Sequence, residues 1–449
     1  MIPAGCHKNI ERIIIAKLNV YIMKSKHING TGALCAAWLA CLVAMSTAVA
    51  RDNTQQQFDQ AIQAINENRL RSARHTLEDL LAEHPNLQRV RLELARVRYL
   101  SYDYDAAEQL ARQVLDDPNT PPSVQTTVLA FLAQIREDKK RMTRRHSLTP
   151  SIYAGMLYDT NVNFGPSRDI IDIGGIPFTI LPESQETDDW AFVINPGVAH
   201  TYNPGKTFHA GENSGFFVWQ SQANAYYRGY FTEDDFDFGV LTLRTGPAWI
   251  VPGHWRAGIG LQGDQIWLGN DSLAWFSSLN PNVTWELTED TDLTLDTFFT
   301  QRHYWRDRDN GREGWYEWGT VSVDHFMNGD KVTLNGAVGF ANFDADDDRF
   351  AYQGPEVSAG VGVNAWQNGS VYVRIRYKKF DFDGMEPGFG RARNDDEFRT
   401  ILGLQHDFRS GPMRDWSIVG NWTYTDNQSN IPIFDYDRHE LNLGLSRNF

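Results

Sequence analysis

Val371-Tyr372-Val373-Arg374-Ile375-Arg376-Tyr377-Lys378 alternates its side chains at every step. In an extended chain successive side chains point to opposite faces, so Val371, Val373, Ile375 and Tyr377 share one face and Tyr372, Arg374, Arg376 and Lys378 the other. Such a strand needs an apolar medium on one side and water on the other. The pattern recurs along the chain. Val332, Leu334, Val338 and Phe340 share a face, as do Phe398, Leu402 and Leu404, then Trp416, Ile418, Trp422 and Tyr424. The last stretch carries Leu441, Leu443, Leu445 and the terminal Phe449. From about Ser147 onward roughly fourteen such stretches follow one another, which predicts an antiparallel closed barrel of about 14 strands in a membrane.

The connections carry a second periodicity. Hairpin chemistry stands near Pro252-Gly253, Glu289-Asp290, Asn328-Gly329, Asn368-Gly369 and Ser410-Gly411. Between these fall the longer polar links Asp159–Asp188, Thr232–Asp235, Leu268–Ser272, Arg306–Arg312, Asp344–Asp348, Asp383–Asp396 and Asn427–Phe434. Asn203–Ser214 is the exception, a long link on the side of the tight turns. A terminal aromatic behind alternating leucines (Leu441, Leu443, Leu445, Phe449) is the usual insertion signal for the outer-membrane barrel assembly machinery.

With 41% hydrophobic residues and a mean hydropathy of −0.46, the 449-residue chain is too polar for a bundle of membrane helices. One apolar run, Ala33–Met45, follows Lys24 and Lys26 and precedes Ala48-Val49-Ala50, which reads as a signal peptide over residues 1–50, with Met23 the better start. Cys6, Cys35 and Cys41 all precede Arg51, so disulfide and thiolate chemistry is excluded from the exported part. Ser147–Phe449 holds 22 basic and 42 acidic residues, whereas Arg51–His146 is balanced at 15 and 14. The acidic part is a poor nucleic-acid binder. It also holds 13 of the 14 tryptophans, as interfacial aromatic belts require.

Residues 51–146 read as a helical domain of tetratricopeptide type. Ala61 and Ala95, Leu70 and Tyr104, Ala73 and Ala107, and Leu81 and Leu115 recur at a spacing of 34 residues. Asn68 and Tyr102 stand where such repeats often place glycine, and Pro85 and Pro118 close the units. Arg89, Arg96 and Tyr99 are the candidates for a client-binding concave face. Lys139–Arg145 is a basic linker, which either meets anionic headgroups or serves as a hinge.

Inside the barrel, Arg374, Arg376 and Lys378 should face the lumen opposite acidic positions such as Asp292, Asp296 and Asp407. Two readings stay open for them: pairing within the wall, or lining a transport path. No nucleophile elbow, zinc-protease motif or phosphate loop occurs, so the chain is not expected to be an enzyme or to need a cofactor. Asp159-Thr160-Asn161-Val162-Asn163 begins like a calcium loop, but Phe164 replaces the required glycine and Ile170 the closing glutamate. No metal is expected there.

With helical repeats directly before a barrel and Tyr158-Asp159-Thr160-Asn161-Val162-Asn163 after its first strand, the chain resembles the surface lipoprotein assembly modifier (Slam) family. Asp159, Asn161 and Asn163 carry the motif. The resemblance implies an outer-membrane translocation factor, residues 51–146 in the periplasm and residues 147–449 in the membrane, serving a client lipoprotein or secreted protein. Outer-membrane lipid and the barrel assembly machinery are the other expected partners, and a monomer the expected state. The rival expectation is a porin or polysaccharide-export channel, whose acidic lumen and loops would suit a cationic solute.

Overall fold

The computed structural model describes residues 51–66, 69–142, 144–173, 175–288, 290–328 and 331–449. The signal-peptide reading and its three cysteines lie outside them, as do Asn68, Glu289 and Gly329. The chain forms two compact units, one running to Arg145 and including Asn203–Phe217, the other His146–Tyr202 with Val218–Phe449.

Among the described residues five helices build the first unit: α1 (Arg51–Asn66), α2 (Leu70–Glu83), α3 (Gln88–Leu100), α4 (Tyr104–Leu115) and α5 (Pro122–Met142). The repeated alanines Ala61, Ala73, Ala95 and Ala107 are all fully buried, so they sit where helices come closest. Phe58, Leu70, Leu77, Leu80, Val90 and Val97 form one core, and Val114, Val128, Leu132 and Ile135 belong to a second that ties α5 to α4. Tyr102 has φ +61°, the left-handed conformation that costs a non-glycine residue about 1–2 kcal/mol. Its ring stands edge-on to Phe216 at 5.7 Å and Tyr104 at 6.3 Å, contacts a glycine could not make.

Phe216 lies on a hairpin formed by β5 (Thr207–Ala210) and the start of β6 (Asn213–Tyr230). This hairpin is the long Asn203–Ser214 link, and it caps α2. Arg69 at the N-cap position offers no side-chain cap. Instead the Glu212 carbonyl accepts from the Arg71 N–H at 2.8 Å, and its carboxylate accepts from the Ser72 N–H at 2.6 Å and the Ser72 hydroxyl at 2.9 Å. Helix starts leave orphan N–H groups and favour a negative charge, which Glu212 supplies from 140 residues away.

Fourteen antiparallel strands close the second unit into a barrel: β1 (His146–Asp159), β4 (Asp189–Tyr202), β6, β7 (Phe238–Val251), β8 (Trp255–Leu268), β9 (Asp271–Thr288), β10 (Thr291–Tyr304), β11 (Gly314–Met327), β12 (Val332–Ala345), β13 (Tyr352–Trp366), β14 (Gly369–Glu386), β15 (Arg391–Asp407), β16 (Trp416–Ser429) and β17 (Tyr436–Asn448). Each pairs with its sequence neighbours, and β1 pairs with β17, so no strand edge is left open. The predicted faces are present. Leu441 and Leu443 are exposed on β17, Val338 and Phe340 on β12, Ile375 on β14, and Leu402 and Leu404 on β15. Exposed tryptophans fall in two belts: Trp190, Trp275, Trp305 and Trp315 near one end of the strands, and Trp219, Trp285 and Trp366 near the other. Phe449 is exposed, and its N–H closes the ring by donating to the Pro150 carbonyl at 3.0 Å.

Two connections are shorter than expected. The link at Leu268–Ser272 is a turn with Gly269 (φ +58°) and Asn270 (φ +65°) at its tip, the two left-handed residues a tight hairpin needs. Most of Asp383–Asp396 is strand, since β14 and β15 remain paired to Glu386 and Arg391. The longest link, residues 160–188, carries its own hairpin of β2 (Ile170–Ile173) and β3 (Ile176–Thr179). Among the described residues no helix is long and apolar enough to cross a membrane.

Candidate functional site

Inward-facing positions toward the long-loop end of several barrel strands are buried and largely polar. Asp159, the last residue of β1, has no exposed surface. The Arg438 guanidinium of β17 grips it in a two-pronged pair, Nε to Oδ1 at 2.7 Å with Nη2 on Oδ2, and the Tyr230 hydroxyl donates to Oδ2 at 2.6 Å. Arg438 also pairs with Glu440 at 3.1 Å, and Glu440 with Arg228 at 3.4 Å. Three strands, β1, β6 and β17, are thereby joined through alternating charges, the arrangement that makes buried ions tolerable.

The residues after Asp159 fasten the first long loop. Asn161, also fully buried, donates to the Gly165 carbonyl at 2.8 Å and the Asp437 carbonyl at 3.1 Å, and accepts from the Gly165 N–H. Asn163 donates to the Gln185 carbonyl at 2.6 Å and accepts from the Thr187 N–H at 3.2 Å, which joins the two ends of the loop. Phe164 adopts φ +54°, and its ring lies under the Arg438 guanidinium at 4.4 Å. The motif is thus a clasp made with protein partners. Among the described residues no group of three His, Cys, Asp or Glu side chains is placed to hold a metal.

Arg376 and Lys378 do face inward, but not toward the expected acids. Lys378 pairs with Glu356 at 3.0 Å, and Arg376 with Glu397 at 3.3 Å. Asp292 instead meets Arg256 at 3.7 Å, Asp296 accepts from Asn280, and Asp407 accepts from Gln405 and Ser417. The reason is position: Glu356 and Glu397 lie on the strands flanking β14, directly opposite or near these cations in the register, and Asp292 is four strands away. Arg376 also stands directly opposite Arg399, and both share Glu397. Like charges facing each other across a ladder are destabilising unless something negative intervenes. Arg374 lies on the same inward row.

A further cation, Arg302 on β10, follows Thr300 on an inward row whose opposite face holds exposed Leu295 and Phe299. Its guanidinium lies against the Tyr316 ring at 4.2 Å and the Phe343 ring at 4.3 Å, with Phe276 at 5.4 Å. Arg393 is held similarly over Phe434 at 3.7 Å but also pairs with the buried Asp395. On β14 and β15 the cations Arg374, Arg376, Lys378 and Arg399 thus cluster around Glu356 and Glu397. No single-strand pattern announces Arg302, because its three aromatic neighbours come from β9, β11 and β12.

In the helical unit, Arg89 is exposed and stands over the Phe58 ring at 4.6 Å, and Arg96 is exposed with Glu93 at 3.5 Å. Tyr99 packs edge-on to Phe131 and donates its hydroxyl to Asp138 of α5 at 2.7 Å. The start of the basic linker is helical, and Lys139 pairs there with Asp105 and Glu108. Hydrogen bonds from the Ser72 side chain and backbone hold the Glu212 carboxyl below its ordinary range.

A family model described as a protein of unknown function (DUF2860) matches residues 306–447, less than half of the chain. No curated protein matches the sequence. Among solved structures, the chain is similar to OprD of Pseudomonas aeruginosa at 12% identity, covering 68% of this chain and 95% of that one with a TM-score of 0.36. It is likewise similar to OmpT, an outer membrane protein of Vibrio cholerae, at 8% identity, 68% and 98% coverage and a TM-score of 0.39. The chain is a closed fourteen-stranded antiparallel β-barrel with an N-terminal helical part. The matched model spans β11 to β17, the strands that supply Glu356, Arg376, Glu397 and Arg438.

Proposed function

We propose that this chain is an outer-membrane translocation factor that helps a lipoprotein or secreted protein reach the cell surface, with its helical unit in the periplasm. The observation that carries the reading is the Asn203–Phe217 hairpin. It is inserted between barrel strands β4 and β6, yet it folds as part of the helical unit and caps α2. A passive channel has no use for such a commitment, whereas a receiver that must hand a polypeptide onward does. The helix pairs α1–α2 and α3–α4, with their buried alanines at tetratricopeptide spacing, supply the kind of surface that binds extended peptide. The barrel assembly machinery and outer-membrane lipid are the other partners of this role, and it is transport rather than catalysis. Its driving force is client folding outside.

Deletion of the gene, followed by protease shaving of intact cells, tests the proposal. A candidate client should lose its surface exposure and accumulate in a protected form; unchanged display contradicts the role. The second reading, a porin or polysaccharide-export channel, is favoured by the cation cluster of Arg374, Arg376, Lys378 and Arg399, which suits an anionic solute or polymer. Swelling of liposomes containing the full chain, driven by small anions, would favour it.

A further inference from the structure

The Arg302 guanidinium packs against the Tyr316 and Phe343 rings but makes no hydrogen bond to protein among the described residues. Its Nε is buried without a partner, and among the described residues neither an acceptor nor a carboxylate meets its other donors. Arginine carries five N–H donors in a fixed fork, shaped for a carboxylate. Of this fork only Nε is fully buried, and among the described residues it lacks the carboxylate that Arg438 finds in Asp159 and Arg393 in Asp395. The rings hold the guanidinium by cation–π attraction. Deeper along the wall, Arg376 and Arg399 share one carboxylate and each has a buried Nε without a partner. The same interior thus holds a second place where positive charge exceeds its compensation.

We propose that Arg302, oriented by Tyr316 and Phe343, is a carboxylate-binding site on the inner wall of the barrel, with Arg376 and Arg399 as a second cationic station below it. The ligand is a carboxylate, supplied either by a free organic acid or by an aspartate or glutamate of a passing polypeptide. The site deepens the translocation reading by naming a chemistry for what passes, but it is tested by binding alone, so its failure leaves the shaving result untouched.

Full-length protein in detergent is titrated calorimetrically with succinate, with an unstructured glutamate-rich peptide, and with the same peptide carrying glutamines. Binding of succinate or of the glutamate peptide, but not the glutamine peptide, is expected. Saturation by succinate points to a free acid, and by the peptide alone to a polypeptide side chain. Arg302→Gln should weaken Kd at least tenfold. Arg302→Lys, which keeps the charge and loses the fork, should weaken it several-fold while retaining the wild-type heat-modifiable gel shift. Arg409→Gln, at an exposed turn, should bind as wild type. Absence of binding by either carboxylate probe, equal binding of the two peptides, or wild-type affinity in both Arg302 variants overturns the proposal.

Discussion

The two units bury opposite kinds of side chain. In the helical unit the positions without exposed surface include Ala61, Ala73, Leu77, Val97 and Ile135; in the barrel they include Asp159, Asn161 and Asp395, and Leu443 and Phe340 stand at least half exposed. Both follow the rule that apolar surface leaves water, applied to different surroundings. In the first unit, water lies outside and the core is within. In the second, lipid covers the outside, and the interior must satisfy its polar groups by pairing. Substitutions should therefore change sign between the units.

The largest effect is expected where a buried pair is broken. Arg438→Ala leaves Asp159 without its partner, which costs about 3–5 kcal/mol in comparable sites. The barrel should unfold at lower temperature in a heat-modifiability gel, and the 160–188 loop should become sensitive to protease. An unchanged midpoint and an uncut loop would remove the clasp from the account. In the helical unit, Leu77→Ala should cost about 2–5 kcal/mol through the cavity it opens, read from circular dichroism melting of the helices. The barrel's gel shift should stay as in the wild type, and its collapse would show that the units are not independently stable. Leu443→Arg, harmless on a water-facing strand, should lower barrel stability by about 2–4 kcal/mol if that side chain meets the membrane interior. A neutral result would place it in water.

The smallest effect concerns the hairpin. The Glu212 carboxyl is held below its ordinary value by the Ser72 hydrogen bonds, so its contribution to docking is complete above that ordinary value, 4.5, and is lost as pH falls through the lower folded value. Hydrogen exchange of the Arg71 and Ser72 amides should therefore accelerate as pH falls below about 4.5, after correction for intrinsic exchange. Glu212→Gln should show fast exchange at neutral pH with little further change. Equal exchange in the two proteins at pH 7 would dissolve the cap.

The barrel was legible because each strand repeats one simple rule, and fourteen weak signals agree. Val371 to Lys378 alone shows which residues face inward. The partners of those residues were not legible, since pairing across strands depends on register and tilt: Arg438 meets Asp159 from 279 residues away, and Arg302 gathers rings from three other strands. Overall charge says nothing of local clusters: Arg376 and Arg399 share Glu397 within a chain of strong acidic excess. Tyr102 and Asn203–Ser214 each stood out in the sequence, the first for a missing glycine and the second for its length. Only the Phe216 and Glu212 contacts give them a shared cause.

Because the sequence from Arg51 onward has no cysteine, single cysteines can be placed along β14 at Val373, Arg374, Ile375 and Arg376, labelled with a fluorophore and reconstituted in bilayers containing nitroxide lipids. The lipid-outside, charge-inside account predicts strong quenching at 373 and 375 and weak quenching at 374 and 376. Equal quenching at all four positions, or strong quenching at 374 and 376, would contradict it.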